Sequence, residues 1–513
     1  MKSYLTERGI AFSVNNYIEN YGNDKFLKLQ KKYIVKTIDR ITKTPQVTKL
    51  FSIIKVPNDR IIEFPRYSIN KLIGTNLTWI TPIDNDLLIV DLPIAKQIEM
   101  EYIGKSNYNQ KLIVDYIFKN VFVNEYNGVT IKQGAGTGKS FTAMDIINRL
   151  KLKTLIVVPN TYLLDQWVSL LTQYFPTSKI GVLYGKQKTD GDIIVSIINT
   201  IATLKSYEVV SKVPIPNIGK SLKYTKISIS RDINHILENI GLSIFDESQM
   251  YVSKQFKKVF QRIYSRYTIG LSATPDIRED KLDIIHQSWL GDLLDVETID
   301  GYQLANDAFE SDITMVKYYA HNDHCKFKVR DDGLIEYHSI IEAIVTDPNR
   351  NNMIIEQIIN LANKGHYTFV FSDRRAHLET LYKLLETYVS EKCNDEITLE
   401  LPETNKKVIL YGGSSENIIN DAKNNSNIIF TTYAYSSTGV SITKMDGLIL
   451  TTPRRTNMKQ IINRVFRLGS DQTIKRNIID IVDEKFPIKG QVRERVKAYR
   501  ERGCNIITTK VQI

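Results

Sequence analysis

The sequence predicts an α/β protein with two tandem parallel-sheet domains behind a small N-terminal accessory domain. Three observations predict it. Short apolar runs alternate with amphipathic stretches between about residues 110 and 300, and the alternation starts again near Asp347. The runs are apolar on both faces, as strands buried between two helical layers must be. At 513 residues the chain is also too long for a single core.

Residues 1–100 read as the accessory domain. Apolar runs at 50–56 and 60–65 flank Pro57-Asn-Asp59 and predict a hairpin. Residues 101–300 read as the first α/β domain, with strands over 129–133, 154–159, 192–198, 242–246 and 267–273. Helical periodicity falls at 111–123, 141–150 and 162–174. Residues 301–350 read as a linker region, with a turn at Asp331-Asp-Gly333. Residues 351–513 read as the second α/β domain. Its expected helices are 352–363, 375–389 and 457–468, and its strands 368–372, 407–411, 427–432, 447–452 and 477–482. A basic helix over 491–502 closes it, with Val492, Val496 and Tyr499 on its apolar side and Gly503 at its end. The basic stretch 205–235 and the acidic stretch 390–406 read as surface loops.

Composition narrows the class of function. The chain is 42% hydrophobic and 24% charged, in the range of ordinary soluble globular proteins. It has no apolar run near the roughly 18 residues of a membrane span, and its first residues carry charge where a secretory signal is apolar. A membrane partner is therefore not expected. Cys325, Cys393 and Cys504 are far apart and lack metal-ligand spacing, which argues for an intracellular, reducing compartment and against structural zinc. The net charge is +11, and residues 451–513 hold 15 Lys and Arg against 6 Asp and Glu. Such a concentration suits a polyanion partner or a solvated basic face.

A glycine-rich segment follows a strand and opens a helix. Its residues, Gly134, Ala135, Gly136, Thr137, Gly138, Lys139 and Ser140, are the candidate nucleotide-binding loop. Triphosphates need what that geometry supplies. Glycines let backbone N–H groups turn toward the phosphates, and the helix start adds partial positive charge. Lys139 suits the β/γ oxygens and Ser140 suits Mg²⁺. Gln133 stands where the strict pattern has glycine. Alone, the loop leaves a kinase, a GTPase or a transporter subunit open. Asp246-Glu247 follows an apolar strand, at the strand end where open α/β sheets bind ligands. Asp246 suits the metal, and Glu247 can polarise an attacking water.

With these residues in place, the chain resembles superfamily 2 helicases of the XPB and type III restriction enzyme branch. Gly136-Thr-Gly-Lys-Ser140, Asp246-Glu-Ser-Gln249 and Gly270-Leu-Ser-Ala-Thr-Pro275 resemble motifs I, II and III. Leu155 to Trp167 resembles motif Ia, Thr368 to Arg375 motif IV, Ile429 to Gly439 motif V, and Gln460 to Arg467 motif VI. The order and spacing match over about residues 100–485. Many such enzymes lack glycine at the position of Gln133. Motif VI usually has glycine at the positions of Asn463 and Phe466, and motif V an acidic residue at Ser441.

The resemblance implies two RecA-like domains and an ATP-dependent, Mg²⁺-requiring helicase or translocase. It implies that Arg464 and Arg467 approach the γ-phosphate and that Gln460 and Gln249 act beside them. Ser272 and Thr274 would couple hydrolysis to movement, Gly439 would join the nucleotide site, and Gln110 would read adenine. Nucleic acid is the implied partner, DNA ahead of RNA, held partly by a motif Ib near Asn199–Thr200. The pattern is most similar to helicases of large cytoplasmic DNA viruses. That setting implies the host cytoplasm and the virion, RNA polymerase or other transcription factors as partners, and work in transcription termination, repair or replication. A double-strand translocase that does not separate strands, or a non-catalytic nucleic-acid scaffold, remains an alternative.

Overall fold

The computed structural model describes all residues except 1–2, 6–8, 39–44, 57–58, 66, 68–86, 90–94, 123–127, 135, 204–205, 215–220, 230–234, 253–258, 261, 264, 274–282, 304–308, 394–405, 437–441, 455–457, 467–469 and 513. The chain divides into two compact units. The first takes in Met1–Gly134 and Gly138–Gln303, and the second Leu304–Ile513 together with the loop segment that ends at Thr137. The expected domain boundaries placed Thr137 in the first domain, so its assignment differs from them.

The first unit opens with the small N-terminal domain. The expected hairpin is present, Ser52–Val56 against Asp59–Pro65, within a five-stranded sheet. Helices Val14–Tyr21 and Asn23–Lys32 pack on it through Phe12, Tyr17, Phe26, Leu29 and Phe64.

The α/β part of this unit begins with α1 (Tyr108–Asn120) and β1 (Gly128–Lys132). Then come α2 (Lys139–Leu150), β2 (Thr154–Val158), α3 (Thr161–Tyr174), β3 (Ile180–Tyr184), β4 (Gln187–Lys188), β5 (Ile193–Ile197) and α4 (Ile198–Thr203). The strands β6 (Ser206–Pro214) and β7 (Ser221–Ile229) form a separate antiparallel hairpin. The unit closes with β8 (Leu242–Asp246), β9 (Tyr267–Ser272), α5 (Asp283–Leu290) and β10 (Asp292–Asp295). Its sheet runs β4-β3-β5-β2-β8-β9-β1-β10, and every pair is parallel except β3–β4. All five residues of β2, β5 and β8 are buried, which is why these strands read as unbroken apolar runs.

The second unit carries β11 (Ser311–Tyr319), α6 (Tyr337–Thr346), α7 (Pro348–Asn363), β12 (Thr368–Ser372), α8 (Arg375–Cys393) and β13 (Lys406–Leu410). It continues with α9 (Glu416–Asn424), β14 (Ser426–Thr432), α10 (Tyr433–Ser436), β15 (Gly447–Leu450), α11 (Met458–Ile462), β16 (Arg476–Asp483), α12 (Lys489–Glu501) and β17 (Asn505–Gln512). Its seven strands are all parallel, in the order β13-β14-β12-β15-β16-β11-β17. The α/β class with two parallel sheets and a small N-terminal domain is therefore met.

Three local readings change, and a fourth falls mostly outside the described residues. The 301–350 segment is more than a connector, because β11 lies inside the second sheet between β16 and β17. Asp312, Thr314 and Lys317 interrupt its apolar run, so its sequence lacks the signature of a buried strand. The basic stretch 205–235 contains the β6–β7 hairpin. Most of the acidic stretch, 394–405, lies outside the described residues. The helix expected over 457–468 stops at Ile462.

Strand β16 organises the second unit. Asp480 and Asp483 are an odd number of residues apart and so face opposite layers. Arg495 of α12 donates to Asp480 from Nε at 2.9 Å, and the Tyr499 hydroxyl donates to the same oxygen. Arg350 of α7 grips Asp483 with Nε and a terminal nitrogen, at 2.6 and 3.0 Å, and donates to the Thr451 carbonyl. Each pair locks one helical layer to the sheet. Arg495 is therefore removed from the basic face of α12, where Arg493, Lys497 and Arg500 remain exposed.

Removing one partner strands a buried charge. Arg350→Met is expected to cost about 3–5 kcal/mol, and Arg350→Met with Asp483→Leu to recover much of that loss, read by urea unfolding with far-UV circular dichroism.

Candidate active site

The phosphate-type loop is braced at both ends. Gln133 continues β1 and donates its N–H to the Ser272 carbonyl at 3.0 Å. Its buried side-chain oxygen accepts from the Thr142 hydroxyl at 3.2 Å. The off-pattern residue thus ties the loop's start to β9 and α2. Gly136 and Gly138 hold φ of 80° and 89°, where side chains are strained. Thr137 stands between them at a bend and is half-buried. The two glycines take the left-handed turns, so the residue between them can carry a side chain. A Cβ on Gly138 would also lie 2.3 Å from the Gln110 amide nitrogen. No side chain caps the first turn of α2, which starts at Lys139. A helix start of that kind offers amides and positive potential to an anion.

Gln110 is tied into its own helix start. Its Oε1 accepts from the Asn107 amide at 2.8 Å, and its backbone amide donates to the Asn107 side chain at 2.9 Å. That is a capping box for α1. The amide nitrogen that remains points to the Gly138 carbonyl at 3.4 Å. Asn109 exchanges two hydrogen bonds with the Gln303 backbone, at 2.7 and 3.0 Å, and so fixes the end of the first unit beside α1.

Strand β8 delivers Asp246 at its C-terminal end, buried. One carboxylate oxygen accepts from the Trp167 indole and the other from the Glu247 amide, both at 2.9 Å. Burial first, and then the Glu247 charge, push its pKa up to about 6, while Lys139 pulls the other way. This is a carboxylate short of positive charge. With the Ser140 hydroxyl it offers the hard oxygen donors that a divalent cation such as Mg²⁺ prefers, so the residues fit the ion.

Glu247 turns the chain into the left-handed region, with φ of 49°. A non-glycine residue there is strained, and such strain concentrates at functional sites. Gln249 donates to Glu247 Oε2 at 2.6 Å and accepts from the Ser272 hydroxyl at 2.6 Å. A direct line of hydrogen bonds therefore runs from Glu247 through Gln249 to the last residue of β9. Gly270 leaves room for this packing, since a Cβ there would meet Leu290 at 3.0 Å and Ser248 at 3.2 Å.

In the second unit, Ser372 ends β12 and Asp373 follows it. The Ser372 hydroxyl shares a hydrogen bond with His377, and Asp373 pairs with Arg454 at 3.1 Å. Motif VI departs from its expected form. Arg464 lies beyond α11 in a turn closed by Arg464 N–H to the Ile461 carbonyl and Val465 N–H to the Ile462 carbonyl, at 3.1 and 3.2 Å. The Val465 carbonyl accepts from Arg476 Nε at 2.7 Å, so a side chain takes the acceptor that a longer helix would use. The expected helical placement of Arg464 is corrected on that ground, and Arg467 lies outside the described residues.

Lys139, Asp246, Glu247, Gln249 and Ser272 come together at one end of the first sheet, with Gln110 beneath Gly138. Gly134, Gly136, Thr137, Gly138 and Ser140 lie along the loop and the first turn of α2, as the sequence order requires. Gln460 lies within α11, and Arg464 is buried. Ala135, Thr274, Gly439 and Arg467 lie outside the described residues. Sequence reading missed the Trp167 indole as a partner of Asp246 and Thr142 as a partner of Gln133. The one available signal for Trp167 was its place on the apolar side of its helix, with Leu163, Leu164 and Leu171.

The fold and this site resemble those of ATP-dependent helicases of superfamily 2, which are nucleic-acid-dependent ATPases. Residues 103–277 match the family described as type III restriction enzyme, res subunit. Over most of its length the chain is similar to viral proteins. A protein of African swine fever virus (isolate Pig/Kenya/KEN-50/1950), provisionally named ATP-dependent RNA helicase QP509L, is 28% identical over 78% of this chain and 73% of its own length. An Acanthamoeba polyphaga mimivirus protein, provisionally named ATP-dependent RNA helicase L396, is 26% identical over 80% and 70%. Among solved structures, S. cerevisiae Dbp5 bound to RNA and ADP BeF3 shares the fold, with a TM-score of 0.51, 14% identity, and coverage of 80% of this chain and 90% of that one.

Asp246 also sets a pH test. Its raised pKa favours the folded, metal-free protein fully below the ordinary value of 3.8, and that contribution is lost as pH rises through about 6. Asp246→Asn should therefore melt above wild type at pH 7.5, by up to roughly 3 kcal/mol of stability, and the gap should close near pH 4 in metal-free buffer. The same variant should lose ATPase activity.

Proposed function

We propose that the chain couples ATP hydrolysis to movement along nucleic acid, with DNA as the favoured track. The observation that carries the reading is the Glu247–Gln249–Ser272 line of hydrogen bonds, which joins a hydrolytic carboxylate to the strand leading into motif III. In this reading Lys139 binds the β/γ-phosphates, with the amides of the Gly134–Gly138 loop, Thr137 among them, and of the start of α2 around them. Ser140 and Asp246 hold Mg²⁺, which neutralises phosphate charge when bound. Glu247 orients the attacking water. Its Oε2 is already held by Gln249, which leaves Oε1 to accept that water's proton. Arg464 and Arg467 stabilise charge on the transferring phosphoryl group, with Gln460 beside them. Ser272 and Thr274 pass the change at Glu247 to the nucleic-acid contacts, and Gln110 and Gly439 complete the nucleotide site.

Exposed Asn199, at the start of α4, and the exposed Arg493, Lys497 and Arg500 of α12 supply polar and cationic contacts suited to phosphates. The setting is a virus-infected cell, in the host cytoplasm and the virion, with transcription termination, repair or replication as the process and RNA polymerase as a candidate partner. RNA is the second reading, favoured by the names of the African swine fever virus and mimivirus relatives.

ATPase assays with single-stranded DNA, duplex DNA and RNA side by side decide the track. Stimulation by RNA alone would overturn the DNA reading. Strand displacement alongside stimulation marks a helicase, and stimulation without displacement marks a double-strand translocase. Glu247→Gln should cut kcat by at least about 100-fold while retaining nucleotide binding, whereas Lys139→Ala should lose binding. An unchanged rate in Glu247→Gln would sink the catalytic assignment.

Ser272→Ala tests the relay. The variant should keep most nucleic-acid-stimulated ATPase but lose strand movement several-fold, measured on the same preparation. Equal loss of both activities would make Ser272 a structural support for Glu247.

A further inference from the structure

Motif VI carries Phe466 where the family pattern has glycine, and the structure gives that ring a defined environment. Phe466 is 4% exposed. The Arg502 guanidinium lies over one face, 4.6 Å from the ring centroid. Phe309 meets Phe466 edge to face, with centroids 6.0 Å apart and planes at 76°. Arg476 lies over Phe309 at 4.4 Å. Cation, ring, ring and cation therefore alternate, as ring quadrupoles favour.

The second cation is also a clasp. Arg476 is 1% exposed and reaches four backbone or side-chain acceptors. Nε donates to the Val465 carbonyl at 2.7 Å, and the terminal nitrogens donate to the Ile474 and Asp471 carbonyls and the Ser470 hydroxyl. The Val465–Phe466 peptide is thus held by a planar fork, and the Phe466 side chain is clamped between Arg502 and Phe309. Glycine at 466 would leave this turn the widest range of backbone conformations. An aromatic ring in the clamp removes that freedom.

We propose that Phe466 is a positioning residue for ATP hydrolysis, whose seat between Arg502 and Phe309 fixes the turn that aims Arg464. The proposal rests on the reading that the motif VI arginines act on the transferring phosphoryl group. An arginine that stabilises developing charge contributes to the transition state, so its misplacement slows turnover and leaves nucleotide binding intact.

The test is steady-state ATPase of the full chain with its best stimulating nucleic acid, together with fluorescent-nucleotide binding and thermal unfolding. Phe466→Leu keeps apolar bulk but has no ring face, and Phe466→Tyr keeps the face. Phe466→Leu should lower kcat roughly 5- to 50-fold, with KM for ATP, nucleotide affinity and melting temperature close to wild type. Phe466→Tyr should recover most of the rate, and Phe309→Leu should repeat the loss from the other side of the stack. An unchanged kcat in Phe466→Leu overturns the proposal. So does a loss that Phe466→Tyr fails to recover, or one matched by a rise in KM or a fall in melting temperature. Arg464→Ala and Arg467→Ala separate the two levels. If both retain full kcat, the motif VI reading itself fails. If they lose it while Phe466→Leu does not, only the positioning role fails.

Discussion

The buried carboxylate of Asp246 is the constraint around which the first unit is arranged. A charge at the end of a fully buried strand is costly, and among the described residues two neutral donors meet it, the Trp167 indole and the Glu247 amide. The remaining demand for positive charge faces Lys139 and the start of α2. The site is thus built with a deficit that a bound cation would relieve. Its neighbours follow from the same geometry. The Glu247 amide can cap Asp246 because the chain takes a left-handed turn at that residue, and that turn leaves the Glu247 side chain within reach of Gln249.

In the second unit buried charges are paired with one another. Strand β16 holds Arg476 at its start and Asp480 and Asp483 further along, all buried. Arg495 and Arg350 clamp opposite faces, and Arg476 holds Val465, Ser470, Asp471 and Ile474. Buried ion pairs add little net stability compared with apolar packing. Their contribution here is register, because each guanidinium accepts one arrangement of its partners. The turn bearing Arg464 inherits that register through the Val465 carbonyl.

Most strands of both sheets and the order of the motifs were legible in the sequence. Fully buried parallel strands such as β2, β5 and β8 must be apolar on both faces, so they announce themselves. Strand β11 did not, because the polar side chains Asp312, Thr314 and Lys317 sit half-buried along it. The edge strand β17 shares this character, with exposed Asn505, Ile507, Thr508 and Thr509. The end of α11 was hidden for another reason. Ile461, Ile462, Val465 and Phe466 keep helical spacing, yet the chain tightens into turns after Ile462, where the Arg464 and Val465 amides donate to the Ile461 and Ile462 carbonyls.

The sequence by itself determined the chemistry: a lysine and serine on a glycine-rich loop, an aspartate and glutamate after a strand, and arginines in a basic C-terminal segment. These are local patterns, set by spacing along the chain. Tertiary structure decided how those groups are held. Gln133, which looked like a flaw in the loop, is a buried bridge to Thr142 and Ser272. Gln249 links Glu247 to Ser272, and Phe466 sits in a clamp formed with Phe309 and Arg502. Each of these contacts joins residues from separate elements. Their partners are fixed by sheet order and layer packing, which no spacing along the chain encodes.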